Sequence, residues 1–462
     1  MNEEVKAANE TAQKEKEKGV PFGKLLAWSL RPGSTGIAMM ILGYLTVFAV
    51  NTMKMPPALV GGLLLASKFI DGLTDLVAGL IVDRTNTRWG RGRPYEWGVA
   101  GMWLTTVLMF MVPESASTVV KSVWILAMYL FANSVFYTFL NANATVYMVR
   151  AFSSQKEYVQ LSTYGGVVPM LMVLVFNVLF PTLMGTLATS QGGWIKLVLI
   201  FAVPMTVLGM LRFFVVKETH NVDVSAEGEK VNLVEVLGLL KKNRYIYIIA
   251  LGSLVVNILT NMGVGVFYFT EIVGDVRLMS VMAVSQIVVL PLMFVFPQIL
   301  KKISVAQLVR IGLLVGVVAG VINYFAGANV PLLMIGSILT GASTVPLSML
   351  GALMIIECAD YNEHIGLNRM EGSLGAVNGF ASKVGAGVGA GILGILLGLA
   401  GYDGALTAQP DSAITMIRML YSLIPAAMSI LVYLAFRMYD LDKNIGQIRA
   451  ENEAKRAGAA KE

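Results

Sequence analysis

Two carboxylates, those of Asp71 and Asp75, lie inside an apolar segment of the sequence, where charged side chains are unfavourable. They are four residues apart, so on a helix they share one face, with Lys68 a turn earlier on the same side. A carboxylate at the centre of a membrane helix costs about 2.5–3.5 kcal/mol, and two neighbouring carboxylates also repel each other. Three arrangements could compensate: a lysine partner such as Lys68 or Lys383, a shared proton, or a bound Na⁺ that also uses the Thr74 hydroxyl. A purely structural ion pair is the alternative to a functional cation site.

Other polar residues also lie in apolar segments. Lys383 is surrounded by small residues. It could neutralise an aspartate, hydrogen-bond a hydroxylated or anionic substrate, or extend its ammonium group to the membrane interface. A second polar run contains Tyr137, Thr138, Asn141 and Thr145, of which the last three line one helix face. Such a face fits a hydrated cavity, and hydrogen bonding between helices is the alternative.

Composition places these residues in a membrane. The chain is 56% hydrophobic and 14% charged, against about 25% charged residues in soluble domains. Its apolar residues form blocks about 20 residues long, which match the thickness of a bilayer when helical. The lone cysteine, Cys358, excludes an intrachain disulfide, and two histidines are too few for a zinc site. We find no nucleophile or phosphate-loop motif and expect neither an enzyme nor a cofactor.

Twelve spans are predicted, with alternating loop charge. Their expected extents are 34–52, 58–83, 95–112, 122–150, 157–185, 194–215, 245–270, 279–300, 306–326, 331–358, 372–400 and 413–437. Lys and Arg concentrate in alternate loops, which predicts that both termini are cytoplasmic in a bacterial plasma membrane. The net charge of +6 therefore reflects topology and does not indicate nucleic-acid binding.

The long polar loop in the middle of the chain divides the spans six and six. We therefore predict an all-α membrane protein of the major facilitator fold, built from two six-helix halves. The predicted organisation is a disordered cytoplasmic tail, two bundles separated by a cytoplasmic loop, and a second cytoplasmic tail that is disordered apart from a short helix. The corresponding residues are 1–22, 23–216, 217–244, 245–438 and 439–462.

Two motifs resemble those of a known family. The first is the spacing Asp71-x-x-x-Asp75-x-x-x-Gly79-x-x-x-Asp83, followed by the run Arg88-Trp89-Gly90-Arg91-Gly92-Arg93-Pro94. The second is Asp360-Tyr361-Asn362-Glu363, followed by Arg369-x-Glu371 and Lys383. Together they resemble the glycoside–pentoside–hexuronide:cation symporters, the melibiose permease-like family of the major facilitator superfamily. The resemblance implies alternating access and coupling of sugar uptake to Na⁺, Li⁺ or H⁺.

The resemblance also assigns roles to individual residues. Asp71, Asp75 and Thr138 fall on the family's cation-site positions, and Thr74 stands where an asparagine is usual. Lys383 falls on an essential lysine. The family's sugar-binding positions fall on or near Thr35, Asn141, Thr145 and Gly166, and we add Tyr137 from the same polar run. Two carboxylates and one cation of the usual galactoside site are thus missing, which favours an anionic glycoside such as a glucuronide.

Charged residues near the loops are predicted to close the cytoplasmic side. They are Asp83, Arg84, Arg91, Arg93, Asp360, Arg369 and Glu371. The predicted function is cation-coupled symport of a sugar or glycoside by a monomer embedded in the lipid bilayer, with a monovalent cation, Na⁺ or H⁺, as the coupling ion. Symport of a non-sugar solute, either lipid or drug-like, is one alternative. A non-transporting membrane sensor is the other.

Overall fold

The protein is helical throughout the part that the computed structural model describes, which is residues 19–85, 87–152, 155–219, 243–289, 291, 295, 298–300, 302–367 and 371–459. Within these ranges strand-like pairing is limited to an isolated bridge between Thr87 and Gly90. The all-α prediction is therefore confirmed. Backbone contacts divide the chain into two compact units, Met1–Met55 with Ala66–Ser225 and Pro56–Leu65 with Ala226–Glu462.

The first unit is organised around its first helix. Its helices are α1 (Phe22–Gly43), α2 (Pro57–Arg84, from Ala66 onward), α3 (Gly98–Phe110), α4 (Thr118–Tyr129), α5 (Thr138–Ala151), α6 (Gln155–Leu187) and α7 (Gln191–Val215). Helix α1 packs against both α6 and α7. A short helical turn at Leu45–Val47 and a π-helical segment at Phe48–Thr52 follow α1, and a second π-helical segment, Leu130–Tyr137, joins α4 to α5. π-Helical turns are rare and often lie at functional sites.

The second unit has a core formed by neighbouring long helices. Its helices are α8 (Tyr245–Asn261), α9 (Val264–Glu271), α10 (Leu278–Ser285), α11 (Val305–Ala326), α12 (Val330–His364), α13 (Glu371–Leu399), α14 (Asp411–Tyr421), α15 (Leu423–Phe436) and α16 (Leu441–Ala459). Helix α11 packs against α12 and α15, and α8 packs against α13. Ile249, Val309, Met354 and Phe436 belong to the apolar core between them.

Most of the predicted spans coincide with long apolar helices. Nine helical segments of the described chain are long and apolar enough to cross a membrane. The predicted span 58–83 is also one continuous helix, α2, and its stretch Pro57–Lys68 forms a shorter apolar helical segment among the described residues. The predicted span 95–112 contains the 13-residue helix α3, and 279–300 is described only in part.

The first span was predicted to begin too late in the chain. We expected it to begin at residue 34, because Gly33, Ser34, Thr35 and Gly36 are polar or small, whereas α1 begins at Phe22. The hydroxyl groups of this stretch are satisfied without interrupting the helix. The Ser34 hydroxyl donates to the Met205 carbonyl at 2.7 Å and accepts from the indole N–H of Trp103. Satisfied hydroxyls of this kind are compatible with a membrane helix.

The C-terminal stretch is more ordered than the sequence suggested. We expected 439–462 to be a disordered tail apart from a short helix, but α16 runs for 19 residues and packs against α12. Its contacts are polar and specific: the Asn452 side chain donates to the Asp360 carbonyl at 2.9 Å, and Ser304 hydrogen-bonds Asp442. A helix of low hydrophobicity is thus held by hydrogen bonds that its own sequence could not reveal.

A buried cluster of three charged side chains connects distant parts of the first unit. Glu96, which is 0% exposed, lies 3.8 Å from Arg31 of α1 and 3.8 Å from Arg212 of α7. Asn143 donates to the Glu96 carboxylate at 3.3 Å. The Arg212 guanidinium also lies over the Trp28 ring, at 3.2 Å from its centroid. One carboxylate therefore faces two buried guanidinium groups, whose attraction to it is strong because little solvent screens them.

A second constraint is the close approach of two helices within the second unit. The residues Pro56–Leu65 belong to this unit, and Gly61 faces α13. A Cβ atom added at Gly61 would collide with the Gly391 carbonyl oxygen and lie 3.0 Å from the Ile395 amide nitrogen. At Gly62, by contrast, an added Cβ would meet nothing within 4 Å. Small residues allow such backbone approach in membrane proteins.

We expect Glu96→Gln to destabilise the first unit, because it leaves two buried arginines facing a neutral amide. Breaking a buried ion pair typically costs about 3–5 kcal/mol. The measurement is thermal unfolding of the purified protein in detergent. Glu114→Gln, at an exposed loop position, is the matched control and should change stability by less than about 0.5 kcal/mol. Equal unfolding temperatures for Glu96→Gln and Glu114→Gln would show that the buried cluster does not stabilise the protein.

We expect Gly61→Ala and Gly62→Ala to change the stability of the protein in opposite directions. The first introduces overpacking against α13, at a cost of about 1–3 kcal/mol. The second should stabilise by up to about 1 kcal/mol, because alanine is the better helix former. The same thermal unfolding measurement compares them, and destabilisation of similar size in both would contradict the proposed close contact.

Candidate functional site

The Asp71 carboxylate is the centre of a polar site in the first unit. It accepts from the Lys68 ammonium at 3.0 Å, from the Asn133 side-chain amide at 2.5 Å and from the Ser134 hydroxyl. The Lys68 ammonium also lies 5.3 Å from the centroid of the Tyr129 ring. The two ionic side chains are 19% and 14% exposed, so the pair is only partly screened. The lysine partner that the sequence suggested for Asp71 is therefore present in Lys68.

The neutral donors to Asp71 come from the π-helical segment Leu130–Tyr137. Asn133 and Ser134 are buried, with 5% and 1% of their surface exposed. A π-helical turn inserts an extra residue and rotates the side chains that follow it. The segment thereby presents two consecutive polar side chains to one carboxylate on α2. The sequence analysis missed both residues, although their polar types within an apolar span were a usable signal.

The other predicted cation ligands are Thr74 and Asp75, on the same helix as Asp71, and Thr138 on α5. They differ in what they contact. The Thr74 hydroxyl donates to the Asp71 backbone carbonyl at 3.0 Å, so it does not approach the carboxylate directly. The Thr138 hydroxyl is 6% exposed and donates to the Asn133 carbonyl at 3.4 Å. Asp75 lies one turn after Asp71 in α2, and its side chain falls outside the described part of the chain. The predicted pairing of the two aspartates therefore stays a prediction.

Four of the predicted substrate positions are accessible or partly accessible. Asn141 and Lys383 are exposed, and Tyr137 is half-buried. Gly166 is also exposed, and a Cβ atom added there would meet nothing within 4 Å. The predicted role of Gly166 in substrate binding stays a prediction. Lys383 lies on α13, in the second unit, and its predicted role toward Asp71 stays a prediction.

Thr35, another predicted substrate position, is buried and bonded within its own helix. It is 2% exposed, and its hydroxyl donates to the carbonyl groups of Arg31 and Pro32 in its own helix, at 3.2 and 3.3 Å. A threonine often bonds back to the preceding turn in this way. The Thr35 hydroxyl thus donates within its own helix and its side chain is buried, so its role in substrate binding stays a prediction. The side chain of Thr145 lies outside the described residues.

The predicted gating loop binds a carboxylate through its backbone. The N–H groups of Arg91, Gly92 and Arg93 all donate to Glu218, at 3.0, 2.8 and 2.7 Å. Successive N–H groups that converge in this way form an anion-binding nest. Gly90 precedes it with φ of +112°, and a side chain there would collide with the Glu218 carboxylate. Glu218, which the sequence analysis missed, thus connects this loop to the residues that follow α7.

One side chain of this loop and one predicted gating residue of the second unit have defined partners. The Arg93 guanidinium donates to the Phe213 carbonyl at 2.8 Å. In the second unit, Asp360 is 5% exposed and accepts from Arg449 of α16 at 2.7 Å. The sequence suggested no partner in the C-terminal stretch. The side chains of Asp83, Arg84 and Glu371, and all of Arg369, lie outside the described residues.

A separate contact ties the start of α8 to the residue before α16. The Tyr245 hydroxyl donates to Asp440 at 2.7 Å, and the Arg244 guanidinium donates to the same carboxylate at 3.1 Å. The hydrogen bond from Tyr245, followed by that from Arg244, lowers the pKa of Asp440 below its usual value. Asp440 therefore stays ionised and keeps this contact at neutral pH.

The described residues contain no group of three or more His, Cys, Asp or Glu side chains that could hold a metal ion. Asp71 was predicted as a metal ligand together with Asp75, and the expected ion is a monovalent cargo. Its preferred environment is a few oxygen atoms. The carboxylate of Asp71 and the hydroxyl of Ser134 supply such atoms. The amide of Asn133 also supplies one when it is rotated, since its oxygen and nitrogen are assigned from the hydrogen-bond network.

Each of the two units contains helices long and apolar enough to cross a membrane, which is typical of a multi-pass membrane protein. Residues 32–443 match the family described as MFS/sugar transport protein, and the chain belongs to that family. A structure of proton-dependent oligopeptide transporters is similar in fold, with a TM-score of 0.63 at 14% identity, and the match covers 92% of this chain and 99% of the other. The predicted major facilitator fold is thereby confirmed.

Two relatives of known description match nearly the whole chain. The isoprimeverose transporter of Lactiplantibacillus pentosus is 28% identical over 450 residues, covering 95% of this chain and 92% of the relative. The glucuronide carrier protein homolog of Escherichia coli (strain K12) is 24% identical over 426 residues, covering 90% of each. The membership of a cation-coupled sugar symporter family that the motifs suggested is confirmed.

Proposed function

We propose that this protein is a secondary transporter that moves a glycoside together with a monovalent cation, and that the cation binds at Asp71. The observation that carries the proposal is the environment of that carboxylate in α2. Lys68, Asn133 and Ser134 all direct hydrogen-bond donors at it. Intramembrane carboxylates are expensive, and they commonly serve ion pathways.

The Lys68 ammonium is the internal competitor of the coupling ion in this proposal. It neutralises Asp71 at 3.0 Å when no cation is bound, which removes the cost of an unpaired carboxylate. An arriving cation takes over that neutralisation and releases Lys68. The ion pair therefore does not argue against a cation site, because the lysine supplies the charge that the site needs when it is empty.

Two coupling ions remain consistent with this geometry. Na⁺ would use the Asp71 carboxylate, the Ser134 hydroxyl and the rotated Asn133 amide, with Asp75 and Thr138 as further predicted ligands. A proton needs the carboxylate alone. Ser134 distinguishes Na⁺ coupling from H⁺ coupling. Its oxygen coordinates Na⁺ in this proposal, whereas protonation of Asp71 does not require it. The effect of removing that oxygen therefore identifies the ion.

Coupling follows if the glycoside binds better when the cation is present, and the effect is reciprocal because each ligand changes the affinity of the other by the same factor. Asn141, Tyr137 and Lys383 are the proposed substrate contacts. The relatives described as carrying isoprimeverose or a glucuronide support a glycoside as substrate. The presence of Lys383, together with the absence of two carboxylates from the expected sugar site, favours one that bears a carboxylate.

The test is uptake of labelled glycosides into proteoliposomes under an imposed Na⁺ or H⁺ gradient. We expect Asp71→Asn to abolish accumulation of the glycoside. The asparagine amide has no negative charge to attract Na⁺, and it does not take up a proton as a carboxylate does. For a Na⁺-coupled protein, Ser134→Ala should raise the Na⁺ concentration for half-maximal uptake by about 10-fold or more, given about 1.5–3 kcal/mol for a contact to a charged group. Accumulation by Asp71→Asn at the wild-type level would refute the proposed site.

Ser122→Ala is the matched control for Ser134→Ala. Ser122 lies in the same span, and its hydroxyl donates to the Thr118 carbonyl of its own helix, so its loss should leave the cation dependence unchanged. Competition with a β-glucuronide and a neutral β-xyloside tests the substrate class in the same vesicles. Inhibition by the xyloside alone would exclude the anionic-glycoside proposal while leaving the cation site standing.

A further inference from the structure

A groove in the second unit lies between the start of α11 and the end of α15. It has a volume of about 480 Å³, and its lining includes Arg310, Arg437 and Tyr433. The other main contributors are the aliphatic side chains of Ile303, Ile311 and Leu314. The groove therefore combines two positive charges with an apolar wall.

The two guanidinium groups of the groove differ from other arginines of the same unit. Arg244, Arg418 and Arg449 bond to Asp440, to the Tyr324 carbonyl and to Asp360 respectively. Among the described residues, no hydrogen bond or ion pair is found for the Arg310 or Arg437 side chain, and the groove lining contains no acidic residue. Two arginines that share one groove without an anion repel each other, so an anion that enters between them gains from both.

The position of the groove in the membrane restricts what that anion can be. Arg310 is five residues into α11, which corresponds to about 7.5 Å along a helix axis. Ile311, Leu314 and Val318 follow on the same helix and are 50%, 46% and 53% exposed. This exposed apolar stripe continues from the groove along a helix that is apolar enough to span the bilayer. A ligand with an anionic head and an apolar tail fits both parts.

We propose that this groove is a binding site for an anionic phospholipid. The phosphate binds to the Arg310 and Arg437 guanidinium groups, in a groove that Tyr433 also lines, and an acyl chain follows Ile311 and Leu314. Basic pockets between membrane helices bind lipid head groups by the same combination of charge and apolar surface. The site is separate from Asp71 and independent of the transported substrate.

The test compares lipid binding by the purified full-length protein and its variants, using native mass spectrometry in detergent. Phosphatidylglycerol is the probe, phosphatidylcholine controls for apolar contact, and inorganic phosphate controls for a free-anion site. We expect selective binding of phosphatidylglycerol. The double variant Arg310→Gln/Arg437→Gln should bind it about thirty-fold more weakly, which corresponds to about 2 kcal/mol for two basic residues near a membrane surface.

Two further variants keep the interpretation unambiguous. Arg277→Gln removes an exposed arginine that pairs with Asp275 and should bind phosphatidylglycerol as the wild type does. Arg310→Lys/Arg437→Lys preserves the charge and should retain most of the binding, which distinguishes a lost site from a misfolded protein. Equal binding of phosphatidylcholine, full retention by the double glutamine variant, or saturation by inorganic phosphate at the same concentration would each overturn the proposal.

Discussion

The cost of charge in a medium with little water is the constraint on which the rest of this structure depends. In the first unit a single carboxylate, Glu96, stands between two buried arginines, and α1, α7 and the turn before α3 must all keep their places for it to do so. The three side chains are far apart in sequence, at positions 31, 96 and 212. The attraction of Glu96 to each of the two arginines is strong because little solvent screens it. The same strength makes a wrong arrangement of these helices expensive, so the cluster specifies one packing.

The candidate cation site meets the same constraint in a different way. Asp71 is neutralised by Lys68 from its own helix, and the neutral donors Asn133 and Ser134 come from a π-helical segment. A charge that must later exchange partners needs a counter-charge that can leave. A lysine one turn away on a flexible stem fits that requirement better than a buried arginine held on an aromatic ring. The structural cluster and the functional site thus use different basic residues for a physical reason.

The cytoplasmic gating prediction changed more than the cation-site prediction. Arg91 and Arg93 were expected to act through their charged side chains, but their backbone N–H groups hold Glu218, and Arg93 also bonds a carbonyl group. Asp360 was expected to help close the cytoplasmic side without a named partner, and its carboxylate accepts a hydrogen bond from Arg449. The contacts of these residues are therefore known, while their role in closing the cytoplasmic side stays a prediction.

Length, hydropathy and spacing determined the helical class, most of the spans and the motif that places Asp71 and Asp75 on one face of α2. These features are local, since helix period and transfer free energy depend on neighbouring residues alone. Only the tertiary structure decided the partners: Asn133 and Ser134 lie more than 60 positions from Asp71 along the chain. It also turned Thr35 inward and ordered α16 against α12. The sequence indicates that the charge of a buried side chain must be compensated, but the group that compensates it depends on how the helices pack.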